Sequence, residues 1–466
     1  MTKGKSMEKM RKRVLSIIVS STLLVGINFQ QAPFSAAEKT TTIKFWFPYT
    51  GDSSKPILAA IERFQKINPN IKILPSENLT IDKSISAINS KNGPDISLDL
   101  GLDNVNKFCK ANTWLDLRKF LASENGINIQ KTFAPAVAKQ FADPKISCSL
   151  PFMTDSYGFF VNKKMFNASK VNTNIQTVEQ LQDASKKVTK FANDGTILQA
   201  GYIPLVNYYA ASWGGAIASY MFGAKWYQEN GKSAFSTDTR WLDALIWQYE
   251  LIKIYGQGSY VNGVTALQKY TAAAGDEWGC LHDFQKGRLG MMVDGDWRVS
   301  SFCPADQKAK IPAVEYSVLP LPLSKKSNSN YGFGIVGGPV VGISGNSKNP
   351  DAAWKFLKFL TTDKQTQLDG FSAWFNLPST ISALKELSSK KKDANLDSMI
   401  KILNNPESTW RGVSPIGNQD QEIINRVFMD LQNNKLKLGK ESDIKNVLKA
   451  ALRNAAKEVD IAVSRV

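Results

Sequence analysis

Residues 41–76 contain Thr41-Thr-Ile-Lys-Phe-Trp-Phe47, then Pro56-Ile-Leu-Ala-Ala-Ile-Glu-Arg-Phe64, then Ile71-Lys-Ile-Leu-Pro75, and this succession decides the fold class. In the first stretch β-branched and aromatic residues alternate around Lys44, the period of a strand. Pro56 suits the first turn of a helix, where a missing N–H costs nothing. Ile57, Ala60, Ile61 and Phe64 then share one helical face until Asn68-Pro69 stops it. Ile71, Ile73 and Pro75 read as a second strand, and Asp95 to Leu100 as a third. Such alternation predicts an α/β protein, with parallel strands covered by helices.

The same grammar continues along the chain. Ser149 to Asn162 is strand-like, and Val178, Leu181, Ala184 and Val188 form an apolar stripe of helical spacing behind Thr177 as N-cap. Trp241 to Tyr255, Ala352 to Leu360 and Ile444 to Ala455 repeat that spacing. At 466 residues the chain exceeds what one hydrophobic core of roughly 250 to 300 residues can hold, so two lobes are expected. With 43% hydrophobic and 21% charged residues, neither a disordered chain nor a multispanning membrane protein fits. No internal repeat and no low-complexity linker interrupts the sequence. Two lobes without a linker imply that several strands cross between them.

The N-terminus reads as an export signal, with Lys3, Lys5, Lys9, Arg11, Lys12 and Arg13 preceding the 16-residue apolar run Val14 to Phe29. That run is shorter than the ~20 residues of a spanning helix, although retention as an N-terminal anchor stays open. Ser35 and Ala37 place small residues two apart, so cleavage is expected after Ala37. The first cysteine is Cys109, which excludes a lipid anchor on an N-terminal cysteine. Without the leader 52 basic residues face 40 acidic ones, a formal charge of +12. Charges of both signs alternate, and the densest basic run is only Lys390 to Lys392, so no nucleic-acid partner is expected. Four cysteines allow three connectivities or free thiols; Cys109 with Cys148 and Cys280 with Cys303 would close the shortest loops.

Most catalytic and metal templates fail. His282 is the only histidine, in a setting that resembles an ordinary helix position, so neither a histidine-rich metal site nor a Ser-His-Asp triad is expected. Gly332-Phe-Gly-Ile-Val-Gly337 matches the dinucleotide fingerprint by letter. The next residues, Pro339, Val340, Val341 and Ile343, read as a strand rather than the helix whose N-terminus would hold pyrophosphate. Residues 226–233 resemble a P-loop, but Trp226 replaces its first glycine. No metal and no cofactor is called for. There remains a wealth of aromatic and carboxylate residues in loops and at strand ends, which suits carbohydrate. Sugar hydroxyls pair with Asp, Asn, Gln and Arg, and the C–H faces of the ring stack on Trp and Tyr.

Three blocks carry a family resemblance. They are Pro151-Phe-Met-Thr-Asp155-Ser-Tyr157-Gly-Phe-Phe-Val-Asn162-Lys163, Phe284-Gln-Lys-Gly287-Arg-Leu-Gly-Met291-Met292-Val-Asp-Gly295-Asp-Trp297, and Ser347-Lys-Asn-Pro-Asp-Ala-Ala-Trp354 with its continuation to Leu360. In this order they resemble the family 1 extracellular sugar-binding proteins of ATP-driven importers, the group that includes maltodextrin-binding proteins. The likeness extends over nearly all of Thr41 to Leu452. It departs where Gly290 replaces a usual alanine, and where Gly417-Asn-Gln-Asp-Gln-Glu lacks an aromatic that maltodextrin binders stack on; Trp410 or Trp374 would substitute.

The resemblance implies a type II periplasmic-binding-protein-like fold. In the expected layout residues 1–37 are the signal peptide, 38–153 and 336–378 form lobe 1, and 154–335 and 379–466 form lobe 2. Crossovers are expected near Phe152 to Tyr157, Val336 to Val340 and Asn376 to Pro378. The resemblance also implies the cleft residues: Trp297 as stacking floor, Asp155 as hydroxyl acceptor, Asp52, Asp99 and Asp103 in loops past strands, Asn207, Tyr208 and Trp213 before Gly214-Gly215, and Gly337 and Gly338 admitting backbone to ligand. The implied partners are a sugar and membrane permease subunits, for a monomer that is not an enzyme. Two rivals keep their own signatures: a ferric or anion binder using the Tyr208-Tyr209 phenols, and a secreted glycosidase using Asp294 and Asp296, which would share a strand face about 7 Å apart.

Overall fold

In β1 (Thr41–Trp46) the side chains of Ile43 and Phe45 point into the core and are fully buried, while Thr42 and Lys44 face solvent. The computed structural model describes residues 40–209, 213–308, 311–327, 329–438, 440 and 443–466; the expected leader lies outside them. β2 (Ile71–Ser76) and β3 (Ile96–Asp99) run parallel to β1 on either side. The helix between β1 and β2, Lys55–Ile67, buries Ile57, Ala60, Ile61 and Phe64, the face its spacing predicted.

β4 (Leu150–Pro151), β5 (Asp155–Asn162), β6 (Lys190–Phe191), β7 (Ile197–Gln199), β8 (Met291–Gly295), β9 (Tyr316–Leu319), β10 (Val336–Gly337) and β11 (Val340–Ile343) complete the strands of the described residues. One sheet has the order β2-β1-β3-β11-β4, with β11 antiparallel to both neighbours. A second is built on β5, whose partners β8, β9 and β10 are all antiparallel to it, and β6 and β7 form a separate antiparallel pair. Each of the two larger sheets is the floor of a lobe. Helices Pro350–Thr362 and Lys364–Trp374 pack with Lys55–Ile67 on the first, and Ala394–Asn404 covers β5 and β9 of the second. Further helices, among them Thr239–Tyr255, Gln419–Gln432 and Ile444–Val463, pack on one another in the second lobe.

The chain changes sheet at three adjacent segments. Residues 152–154 lead from β4 to β5, and Gly338-Pro339 lead back from β10 to β11. The N–H of Phe152 donates to the carbonyl of Pro339 at 2.8 Å, and that of Thr154 to the carbonyl of Leu377 at 2.9 Å, so the three crossings lie side by side. Gly338 sits at φ +122°, and a Cβ there would fall 2.8 Å from the Met153 carbonyl oxygen and the Asp155 nitrogen.

Elements differ from expectation in three places. The strand-like run Ser149 to Asn162 breaks into β4 and β5 because it spans two sheets. The helix expected to end near Ala455 continues to Val463, burying Ala456, Val459 and Ala462. His282 lies in a turn rather than a helix, buried and stacked 3.9 Å from Tyr209. Both short disulfides form, Cys109–Cys148 and Cys280–Cys303, each with a Cα separation of 5.3 Å.

Candidate ligand-binding site

Tyr157, on β5 just past the crossing, stands opposite Gly295 of β8. Two residues on, Trp297 folds back over that glycine: a Cβ at Gly295 would lie 2.2 to 2.4 Å from three carbons of the indole. The Gly-x-Trp spacing thus has a steric cause, since only a residue without a side chain leaves the strand surface free for the ring. Trp297 meets Tyr157 edge to face, with centroids 5.2 Å apart and planes at 89°. Trp410, in the loop after helix Ala394–Asn404, brings a third ring 6.0 Å from Tyr157. It too lies against a glycine, with Cε3 3.1 Å from where a Cβ of Gly337 would be.

Carboxylates surround these rings. Burial pushes the Tyr157 hydroxyl well above its ordinary pKa, and the charges of Asp155, Asp294, Asp103 and Asp296 push the same way. Asp155 accepts from the Asn376 side-chain amide; burial raises its carboxyl to about 7 despite that bond. Asp296 accepts from the backbone N–H of Leu377 at 2.9 Å and of Ser156 at 3.3 Å, and burial, then the charge of Asp155, raises it. Asp99, at the end of β3, is raised to about 7, first by burial, against donation from the Gly101 and Leu100 backbone. Asp103 accepts from Trp410 Nε1 at 2.9 Å and Arg411 Nε at 3.0 Å. Arg411 also binds Asp420 and the Gly417 carbonyl, so its buried charge is neutralised on several sides.

Asp99, Asp103, Asp155, Trp297 and Gly337 therefore converge, with Trp410 as third ring. Trp374 forms wall rather than floor: it is 8% exposed, stacked 4.5 Å from Tyr49, with its Nε1 donating to the Ser53 carbonyl at 2.9 Å. Asp52, beside that carbonyl, turns its side chain to solvent, 93% exposed and paired with Lys55 at 2.6 Å. Gly337 and Gly338 were expected to admit ligand. Instead Trp410 fills the space over the first, and the backbone of residues 153–155 that over the second.

The segment Asn207, Tyr208 and Trp213 also needs correction. Trp213 is 4% exposed and packs on Trp247 and Phe428, which makes it core. Tyr208 is buried and donates to Asp283 at 2.5 Å. Asn207 is exposed at φ +66°, bordering a shallow groove with Gln268 and Gln432. Burial, then the Asp283 charge, drives the Tyr208 hydroxyl well above its ordinary pKa, which opposes the phenolate that a ferric site would use. Of the glycosidase pair, Asp294 is tied to Arg298 at 2.5 Å and Asp296 to three backbone amides, and both are buried. Among the described residues no group of three or more metal-binding side chains assembles.

Tyr49, Asn376 and Arg411 were not foreseen, and Tyr157 was quoted only within its motif. Tyr49 follows β1 by three residues, and its hydroxyl is pushed up by burial and then by Asp155, which sets it beside the site.

Residues 48–367 match the bacterial extracellular solute-binding proteins. This chain belongs to that family. Its extracellular solute-binding relatives include the maltotriose-binding protein of Pyrococcus abyssi, 23% identical over 314 residues, which are 66% of this chain and 60% of that protein. The chain thus matches less than two thirds of that relative's length. Among solved solute-binding structures, CpMnBP1 with mannotriose bound superposes with a TM-score of 0.68 at 21% identity, covering 90% of this chain and all of the other. The sugar-binding protein MalE of Xanthomonas citri gives 0.68 at 17% identity, covering 91% of this chain and 98% of the other. At such identities the likeness is one of fold: two α/β lobes of the type II periplasmic-binding-protein kind, joined by crossing strands.

Proposed function

We propose that this protein captures a mono- or oligosaccharide between its lobes and delivers it to the permease of an ATP-driven importer. One observation carries the reading: Tyr157, Trp297 and Trp410 gather among Asp99, Asp103 and Asp155 where three segments cross between the sheets. Half-buried rings bordered by oxygen acceptors match a polyhydroxylated molecule with apolar C–H faces. Asp99 ends a strand of the first sheet and Asp103 and Tyr49 lie in its loops; Tyr157, Trp297 and Trp410 belong to the second lobe. A guest that touches both sets adds to the bonds that already join the lobes, so its binding shifts the equilibrium further toward the closed arrangement. The ligands bound to the structural relatives and the maltotriose binder point the same way. The catalytic inventory fits a carrier and not an enzyme, because the buried aspartates are committed to structural bonds.

Residues 1–37 act as the export signal, cleaved after Ala37 or kept as an anchor, and the mature chain works as a monomer outside the cytoplasmic membrane. Lobe 1 comprises 38–153 and the return from the second sheet, and lobe 2 holds the cleft rings. Among the described residues no helix is long and apolar enough to cross a membrane.

Calorimetry against a panel of mono-, di- and trisaccharides tests the function. At least one should bind, and Trp297→Ala should weaken it more than tenfold, about 1.4 kcal/mol or more, with little change in Tm. No heat from any saccharide would overturn the proposal; unchanged affinity in the variant would remove Trp297 from the site.

A further inference from the structure

The loop between helix Tyr260–Thr271 and β8 carries Trp278, which is 59% exposed, whereas the other aromatic side chains among the described residues are buried or half-buried. An indole left in water is costly, yet here it is held in place. The Arg298 guanidinium stacks 4.9 Å from its centroid. Arg298 is only 1% exposed and donates to Asp294 and to the backbone carbonyl of Glu277, the residue before Trp278. The Cys280–Cys303 disulfide fastens the loop two residues further on. From below, the Tyr209 hydroxyl donates to the Gly275 carbonyl at 3.4 Å and accepts from the Asp283 N–H at 3.2 Å.

These supports trace back to the cleft. Arg298 follows Trp297 directly, and its partner Asp294 lies on β8 beside Gly295, the seat of the Trp297 indole and the partner of Tyr157. One face of the Trp278 ring is taken by the guanidinium, and its large exposure leaves the other open. A rigid indole with one free face is what stacking on a sugar ring requires, since little side-chain entropy remains to be lost.

We propose that Trp278 is an outer stacking platform of the same cleft, receiving a sugar unit beyond those seated at Trp297, so that the protein selects oligosaccharides over single rings. The inference rests on the reading of the cleft as a sugar site. It also gives the disulfide a role, because Cys280, two residues past Trp278, is bonded to Cys303, six residues past Trp297, and so ties the two platforms together.

The test is calorimetry with linear gluco- and manno-oligosaccharides of one to five units, on the wild-type protein, Trp278→Ala, Trp278→Phe and Trp297→Ala. Wild-type affinity should climb with chain length. In Trp278→Ala that climb should shrink at least fivefold, Trp278→Phe should restore most of it, and Trp297→Ala should weaken every length alike. Acrylamide quenching of tryptophan fluorescence should be relieved by long chains and much less by short ones, and that protection should vanish in Trp278→Ala. If Trp278→Ala keeps the wild-type ratio of long-chain to short-chain affinity, the outer platform is overturned while the cleft reading stands. No heat from any saccharide with the wild-type protein would overturn both.

Discussion

A glycine in this protein is often the seat of an indole. Trp297 lies on Gly295, Trp410 against Gly337, and in the core Trp114 lies so close to Gly342 that a Cβ there would be 2.1 Å from Cδ2. Gly295→Ala therefore tests the site without touching any proposed contact: its methyl would meet three indole carbons within 2.4 Å, and the ring has to leave. Saccharide affinity should fall tenfold or more, as in Trp297→Ala, with a changed near-ultraviolet dichroism; wild-type affinity would show that the ring's seat does not matter. The same pairs explain what could be read from residues. The motif marked Trp297, but Gly337 and Gly338 were legible only as missing side chains, and the sequence does not say what fills the space. Nor does aromatic identity separate core from cleft, because Trp213 and Trp297 are equally apolar and only packing tells them apart.

Among elements, the loop 405–418 bridges the two lobes. It is anchored to the second lobe, where the Val336 N–H donates to the Thr409 carbonyl and the Gly334 N–H to Ser408 Oγ at 2.9 Å. It reaches the first lobe through Trp410 and Arg411 to Asp103, and through the Ser414 carbonyl, which accepts from Asn106 at 3.0 Å. Asp103 thus ties this loop to the first lobe as a latch. Asp103→Ala removes two of the three bonds, and the sugar-free protein should open, seen in small-angle scattering as a larger radius of gyration; an unchanged radius would exclude the latch. The sequence offered Trp410 of this loop as a stacking ring, but not its tie between the lobes, because that depends on partners about 300 positions away. Periodic elements were plain by contrast, since Lys55–Ile67 and the capped helix Val178–Val188 state their buried face locally. Helix Ile444–Val463 was cut short because its last turns bury mostly alanines, a weaker signal than leucine.

For the molecule as a whole, the cluster of buried aspartates sets how stability follows pH. Burial holds Asp99 and Asp155 at about 7, and Asp296 and Asp294 are raised as well, from an ordinary value of 3.8. Between about pH 4 and 7 the folded protein keeps protons that the unfolded chain has already lost. The contribution of these groups is therefore complete at the acid end of that window and drains away as pH rises through the folded values. Opposite shifts at the surface, such as Glu386 held at about 2 by the exposed Lys364 and Lys390, belong to ion pairs that salt screens. Asp155→Asn isolates the effect, because the amide resembles the protonated acid at every pH and also relieves Asp296 of a neighbouring charge. The difference in Tm, variant minus wild type, should rise from pH 5 to about pH 7, by up to about 1.4 kcal/mol per pH unit in stability, and level off above it. Parallel melting profiles across that range would mean that Asp155 is ionised throughout.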